Sequence, residues 1–308
     1  MNQNASTNIP RRSGWRGAIG GFLLLLATPA CGGAIGSGVA VGKAGNGLSA
    51  HAHAAPQGAE VCALQEALSA PASGSEKQLS DHCSKALRSD QLWRRSMIVL
   101  AAHGATLEAI ASGSSAADNA GPLEAASTGI RGPNWIEVES GPEQAARDAA
   151  AKLVVQMETR SAGGDLGKAV KDAGPHVKAL CDGLTAYLDA QGKSLADIQK
   201  DVEKKHATRA DRRCGSLDSR SICVGESPVD RYVYANVYGQ ATLLESGHQE
   251  ASDAVAGFCA AHRKLEEAAN DGRLSSGKTY TDVVEAVKAS RRAGSGGGAK
   301  PSSTPAKK

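Results

Sequence analysis

The chain has 308 residues, 35 of them basic and 32 acidic, for a formal net charge of +3. Seven basic residues, Arg11, Arg12, Arg16, Lys43, Lys300, Lys307 and Lys308, lie near the ends, while every acidic residue lies within 59–293; that segment keeps 28 basic against 32 acidic residues, a net of −4. A nucleic-acid partner needs a basic face, so none is expected, and 3% aromatic content with no alternating β-branched run argues against a sheet and for an all-α fold.

Residues 1–30 have the three parts of an export signal: Arg11, Arg12 and Arg16, an apolar run from Ala18 to Ala27, then small residues. The run is too short to span a bilayer. At its end, Leu26-Ala27-Thr28-Pro29-Ala30-Cys31-Gly32 resembles the lipobox of bacterial lipoprotein precursors, with Ala30 and Cys31 matching and Thr28 standing where an aliphatic residue is usual. The resemblance implies removal of 1–30 and a lipidated Cys31 that anchors the mature chain to a membrane of the bacterial cell envelope, facing the periplasm or the cell surface. The alternative is ordinary signal cleavage after Ala30, which leaves Cys31 a plain thiol.

From Cys31 to Gly58 the chain is rich in Gly and Ala, with almost no large apolar side chain. That composition reads as a flexible tether over 31–58, which as a coil would hold a domain about 30 Å from the membrane. Gly36 to Ala44 superficially suggests a phosphate loop, but the spacing is wrong and no Ser or Thr follows Lys43. His51 and His53 alone make no metal site.

The folded domain is expected over 59–293. Its first helix, Ala59 to Ala70, carries Cys62, Leu64 and Leu68 and breaks at Pro71. The next carries Leu79, Cys83, Ala86, Trp93, Met97, Leu100 and Leu107 at four- and three-residue steps and fades at Ser112-Gly113. Gly113 to Gly141 is irregular apart from a helix-like piece around Leu123, and irregular segments of that length are uncommon unless functional or mobile. Trp135 within it is either a contact for a ligand or partner or an anchor that packs the loop onto the bundle. An Ala-rich helix then runs from Glu143 to Ser161, followed by a short piece from Asp165 to Ala173.

Pro175 to Asn270 is the centre of the domain. Its first arm places Val177, Cys181, Leu184, Leu188, Gln191, Leu195, Ile198 and Val202 on one seam. The second opens at Ser227-Pro228-Val229-Asp230, a capping box with proline at the first helical position, and continues through Val233, Val237, Leu244, Val255, Phe258 and Leu265. A turn-forming loop separates the arms, which should therefore be antiparallel. Tyr232, Tyr234 and Tyr238 either line a groove or pack against Leu195, Ile198 and Val202. A last helix, Thr279 to Arg292, precedes a Gly-, Ser-, Pro- and Lys-containing tail, 294–308, that should be disordered.

The cysteines test this hairpin without using hydrophobicity. Seven is an odd number, and lipidation of Cys31 leaves six to pair. If the chain folds back near residue 220, Cys181 lies 39 residues before the fold and Cys259 lies 39 after it, and Cys214 with Cys223 closes the tip. Cys62 and Cys83 are likewise symmetric about the break at 72–73. Three disulfides, Cys62–Cys83, Cys181–Cys259 and Cys214–Cys223, would staple two helical hairpins. A competing arrangement uses His176, Cys181, Cys259 and His262 as zinc ligands, since all four fall near one height of the same hairpin.

No nucleophile elbow, oxyanion turn or cofactor fingerprint is present, and Glu266-Glu267 point to different faces. The expectation is an antiparallel helical bundle, anchored by lipid, that acts as a non-enzymatic binding or scaffold module with an envelope protein as partner and no cofactor. Its rival is a metal- or small-molecule-binding periplasmic protein using His176, Cys181, Cys259 and His262.

Overall fold

The computed structural model describes residues 33–52, 57–69, 76–114, 120–131, 141–159, 164–209 and 228–295. Among them are eight helices and no strand: α1 Gly33–His51, α2 Gly58–Ser69, α3 Glu76–Ser112, α4 Ala120–Arg131, α5 Pro142–Thr159, α6 Leu166–Arg209, α7 Pro228–Asn270 and α8 Gly277–Ser295. The all-α helical bundle is therefore correct.

α6 and α7 pack as the antiparallel pair that the seams require. All eight seam residues of the first arm, from Val177 to Val202, are buried, as are Val237, Val255, Phe258 and Leu265 on the second. Their register is set by three close approaches: Cys181 bonds Cys259, the His248 ring sits over Gly192, and Gln199 Nε2 donates to Glu245 at 2.9 Å. Proline stands first in α7, where its missing N–H costs nothing. The piece expected at 165–173 is not separate. It continues as α6 through Pro175, because Val170, Ala173 and Val177 bury one continuous stripe across the hydrogen bond that the proline removes.

The expected tether is corrected at α1. Residues 33–51 form a helix whose Val41, Ala44 and Leu48, with Ala52 just beyond it, are buried at three- and four-residue steps. Glycine disfavours a helix by roughly 1 kcal/mol per residue relative to alanine, so propensity does not hold α1 together. Packing does. A Cβ at Gly45 would lie 3.1 Å from the Ala101 carbonyl of α3, and one at Gly104 would lie 3.1 Å from the Val41 carbonyl. The glycines thus let two backbones touch, and the composition that suggests a coil is the condition for a close helix crossing. The folded domain accordingly begins near Gly33 and not near Ala59.

Two apolar clusters result. The larger joins α1, α3, α4, α5, the N-terminal half of α6, the C-terminal half of α7 and, through Val283, α8. A smaller one, Val61, Leu64, Leu68, Leu195, Ile198, Val202, Val237 and Ala241, lies where α2 packs across the far part of the α6–α7 hairpin. Tyr238 packs against this second cluster. No helix among the described residues is long and apolar enough to cross a membrane. The signal and Cys31, the loop with Trp135, the pair Cys214 and Cys223, and the tail beyond Ser295 lie outside the described residues.

Candidate functional site

Among the described residues, four places bring chemistry-bearing side chains together. The first is the α6–α7 seam, where Cys181 and Cys259 are bonded with Cα atoms 5.9 Å apart. The thiolates that the zinc arrangement needs are consumed in this bond. His176 is half-buried at the side of α5, where burial and then the Lys152 ammonium push its pKa below the usual histidine value. His262 faces elsewhere. His176, Cys181, Cys259 and His262 therefore do not form a ligand group, and the zinc alternative built on them is corrected.

His262 instead meets His103 of α3, a residue that sequence spacing does not single out. Their Nε2 atoms are 3.2 Å apart and their rings 5.2 Å apart, with the side chains only 1% and 3% exposed. Two imidazole nitrogens at that distance share one proton: one ring donates and the other accepts, so the accepting ring is neutral and carries its hydrogen on Nδ1. Burial holds the His262 pKa down at about 4. Phe258, one turn earlier on α7, stacks on the same ring at 6.3 Å. Beyond His103, an enclosed space of about 10 Å³ is lined by Thr106 and Gln156, roughly the room one water needs. The pair is sealed inside the bundle, which suits it to holding α3 and α7 in register better than to turning over a substrate.

The third place is the entrance to α2. Asp90 of α3, 2% exposed, accepts the backbone N–H groups of Gly58 and Ala59, each at 2.8 Å. Two of the four unpaired amides at the start of α2 are thereby satisfied by a charge of the sign that a helix N-terminus favours. The Tyr187 hydroxyl of α6 donates to the same carboxylate, and burial followed by the Asp90 charge raises its pKa, keeping it a donor. Trp93 stacks on the Tyr187 ring at 5.5 Å. This network joins α2, α3 and α6 and is structural.

The fourth is the Cys62–Cys83 bond between α2 and α3, Cα atoms 5.5 Å apart, at the pairing expected from the symmetric break. Glu66 follows Cys62 by one turn, and its Oε1 lies 2.9 Å from Cys83 Sγ. The two sulfurs and the carboxylate oxygen lie within 4.8 Å of one another, the one group of three possible metal ligands among the described residues.

Surface concavities are shallow. A groove of about 430 Å³ at the start of α6 is bordered by Asp165, Lys168, Lys171 and Asp172, and another of about 260 Å³ between α1, α7 and α8 has His51, Glu250 and Asp253 over Gly47 and Phe258. His248 is half-buried on α7, with Nε2 2.6 Å from the Leu188 carbonyl. Glu266 lies against Gly174 while Glu267 pairs with Lys264, so these carboxylates do face apart.

No protein-family model, curated protein or solved structure matches the chain.

Proposed function

We propose that this chain is a lipid-anchored, extracytoplasmic binding or scaffold module of the bacterial cell envelope, without catalytic activity of its own. The observation that carries the reading is the pair of disulfides across helices, Cys62–Cys83 and Cys181–Cys259, which belong in an oxidising compartment. The export signal and the lipobox-like Ala30-Cys31 agree with it. Since α1 starts at Gly33, acylated Cys31 is separated from the bundle by Gly32 alone, and two residue steps reach at most about 7 Å. Lipid at Cys31 would thus seat the N-terminal end of α1 on the membrane. The α6–α7 hairpin, with α6 alone 44 residues or roughly 65 Å long, would stand away from it and offer its far part to an envelope protein.

Non-reducing peptide mapping by mass spectrometry, on protein from the native membrane fraction, tests this reading. The expected result is a diacylated or triacylated Cys31 at the N-terminus, with Cys62 linked to Cys83 and Cys181 to Cys259. An unmodified N-terminus at Cys31 in a soluble fraction would overturn the anchoring, and free Cys181 and Cys259 would overturn the compartment.

A further inference from the structure

The two cysteine pairs are not equivalent. Beside Cys181–Cys259, among the described residues, no third metal-ligating side chain completes a group. Beside Cys62–Cys83 there is Glu66, whose Oε1 lies 2.9 Å from a sulfur that, while bonded, has no proton to offer it. A carboxylate in that position gains a partner only when Cys83 is a thiol or when a cation lies between them.

We propose that Cys62, Glu66 and Cys83 form a redox-gated site for a divalent cation of zinc's class, closed as a disulfide and opened by a dithiol reductant. The positions come from the helices. On α2, Val61, Leu64 and Leu68 bury against α6 and α7, and this turns Cys62 and Glu66, spaced four apart, toward α3 and Cys83. Cys62 is 3% exposed, whereas Glu66 and Cys83 are half-buried, so the group sits at the rim of the bundle where solvent and a reductant reach it.

A dithiol gives two electrons and two protons to the Cys62–Cys83 bond; its own sulfurs close into a disulfide, and Cys62 and Cys83 become thiols. The cation then displaces both thiol protons to solvent and is held by two thiolates and the Glu66 carboxylate, with water in the fourth tetrahedral position. Three negative ligands against a 2+ ion suit zinc or cadmium and disfavour magnesium and calcium, which prefer all-oxygen shells. The Cα separation of 5.5 Å lets the sulfurs part by side-chain rotation with little backbone movement. This inference does not rest on lipid at Cys31.

The full chain carrying Cys214→Ser/Cys223→Ser, so that the thiols of that pair do not take the metal, is reduced anaerobically with a phosphine and titrated with Cd²⁺, reading the ultraviolet thiolate-to-cadmium charge-transfer band, and Zn²⁺ is then used to displace it. One equivalent should bind to the reduced chain and none to the oxidised chain. Cys62→Ser/Cys83→Ser should abolish the band, Glu66→Gln should weaken binding by about tenfold or more, and Cys181→Ala/Cys259→Ala should leave one equivalent bound. Should the reduced, metal-free chain lose helical circular dichroism, one equivalent of Zn²⁺ must restore it. A reduced chain that stays metal-free or stays unfolded with zinc overturns the proposal, as does a band that survives Cys62→Ser/Cys83→Ser. Cys62→His/Cys83→His offers a check without reductant: it should bind one Zn²⁺ with the other bridge intact, and no binding counts against the geometry.

Discussion

A buried neutral histidine ties stability to pH in a known direction. His262 titrates near 4 when folded and near 6.5 when exposed, so between those values the unfolded chain binds more protons than the folded one. Stability from this residue is complete above about pH 6.5 and is lost as pH falls toward 4, by roughly 3 kcal/mol at full loss. Urea unfolding from pH 7 to 4 should show that decline, with the His262 ring still neutral by NMR at pH 5.5. A ring that protonates near 6.5 in the folded protein would contradict the burial argument. The sequence identifies His262 as chemically interesting by its height in the hairpin beside Cys181 and Cys259, yet it is silent on His103. Arithmetic about a turn relates only the two arms of one hairpin, and His103 arrives from a helix whose position is fixed by side-chain packing. Glu66 was equally hidden, since a carboxylate one turn from a cysteine is common on any helix surface.

At the scale of single elements, the seams were legible and α1 was not. Leu, Val and Ile at four- and three-residue steps mark α6 and α7 because a large side chain declares which face is buried; α1 buries mostly glycine and alanine, which declare nothing. Its contact with α3 can be tested by a change of sign between two identical substitutions. Gly38→Ala drives a methyl into Ala111 of α3 and should cost about 1–3 kcal/mol, whereas Gly47→Ala meets nothing within 4 Å and should stabilise by up to about 1 kcal/mol. Calorimetric midpoints of the two variants decide it, and equal shifts of the same sign would mean that α1 is not packed as described. The bridges differ in reach as well. Their sequence separations of 78 and 21 residues give loop-closure contributions of about 4.5 and 3.4 kcal/mol, so Cys181→Ala/Cys259→Ala should lower the denaturation midpoint more than Cys62→Ala/Cys83→Ala. The reverse order would assign the larger stabilising role to the α2–α3 bridge.

For the whole molecule, the early start of the fold changes what an anchor would do. A flexible tether leaves orientation free, but a single glycine between Cys31 and a packed helix does not. Gly33 lies against Ser275 in the α7–α8 turn, and α1 runs antiparallel to α7, with His51 3.9 Å from Glu250. The α7–α8 turn and the start of α6 therefore share the anchored end. Leu243, 75% exposed on α7, lies 27 residues before Asn270, about 40 Å along the helix from that end. In the acylated protein reconstituted into vesicles, a fluorophore at Lys278 should be quenched by headgroup-labelled lipid and one at Leu243 should not. Equal quenching at both positions would lay the bundle flat on the bilayer and remove the projecting hairpin as a partner surface. Quenching at neither, with Cys31 acylated, would mean that α1 detaches from the bundle and serves as the spacer that its composition first suggests.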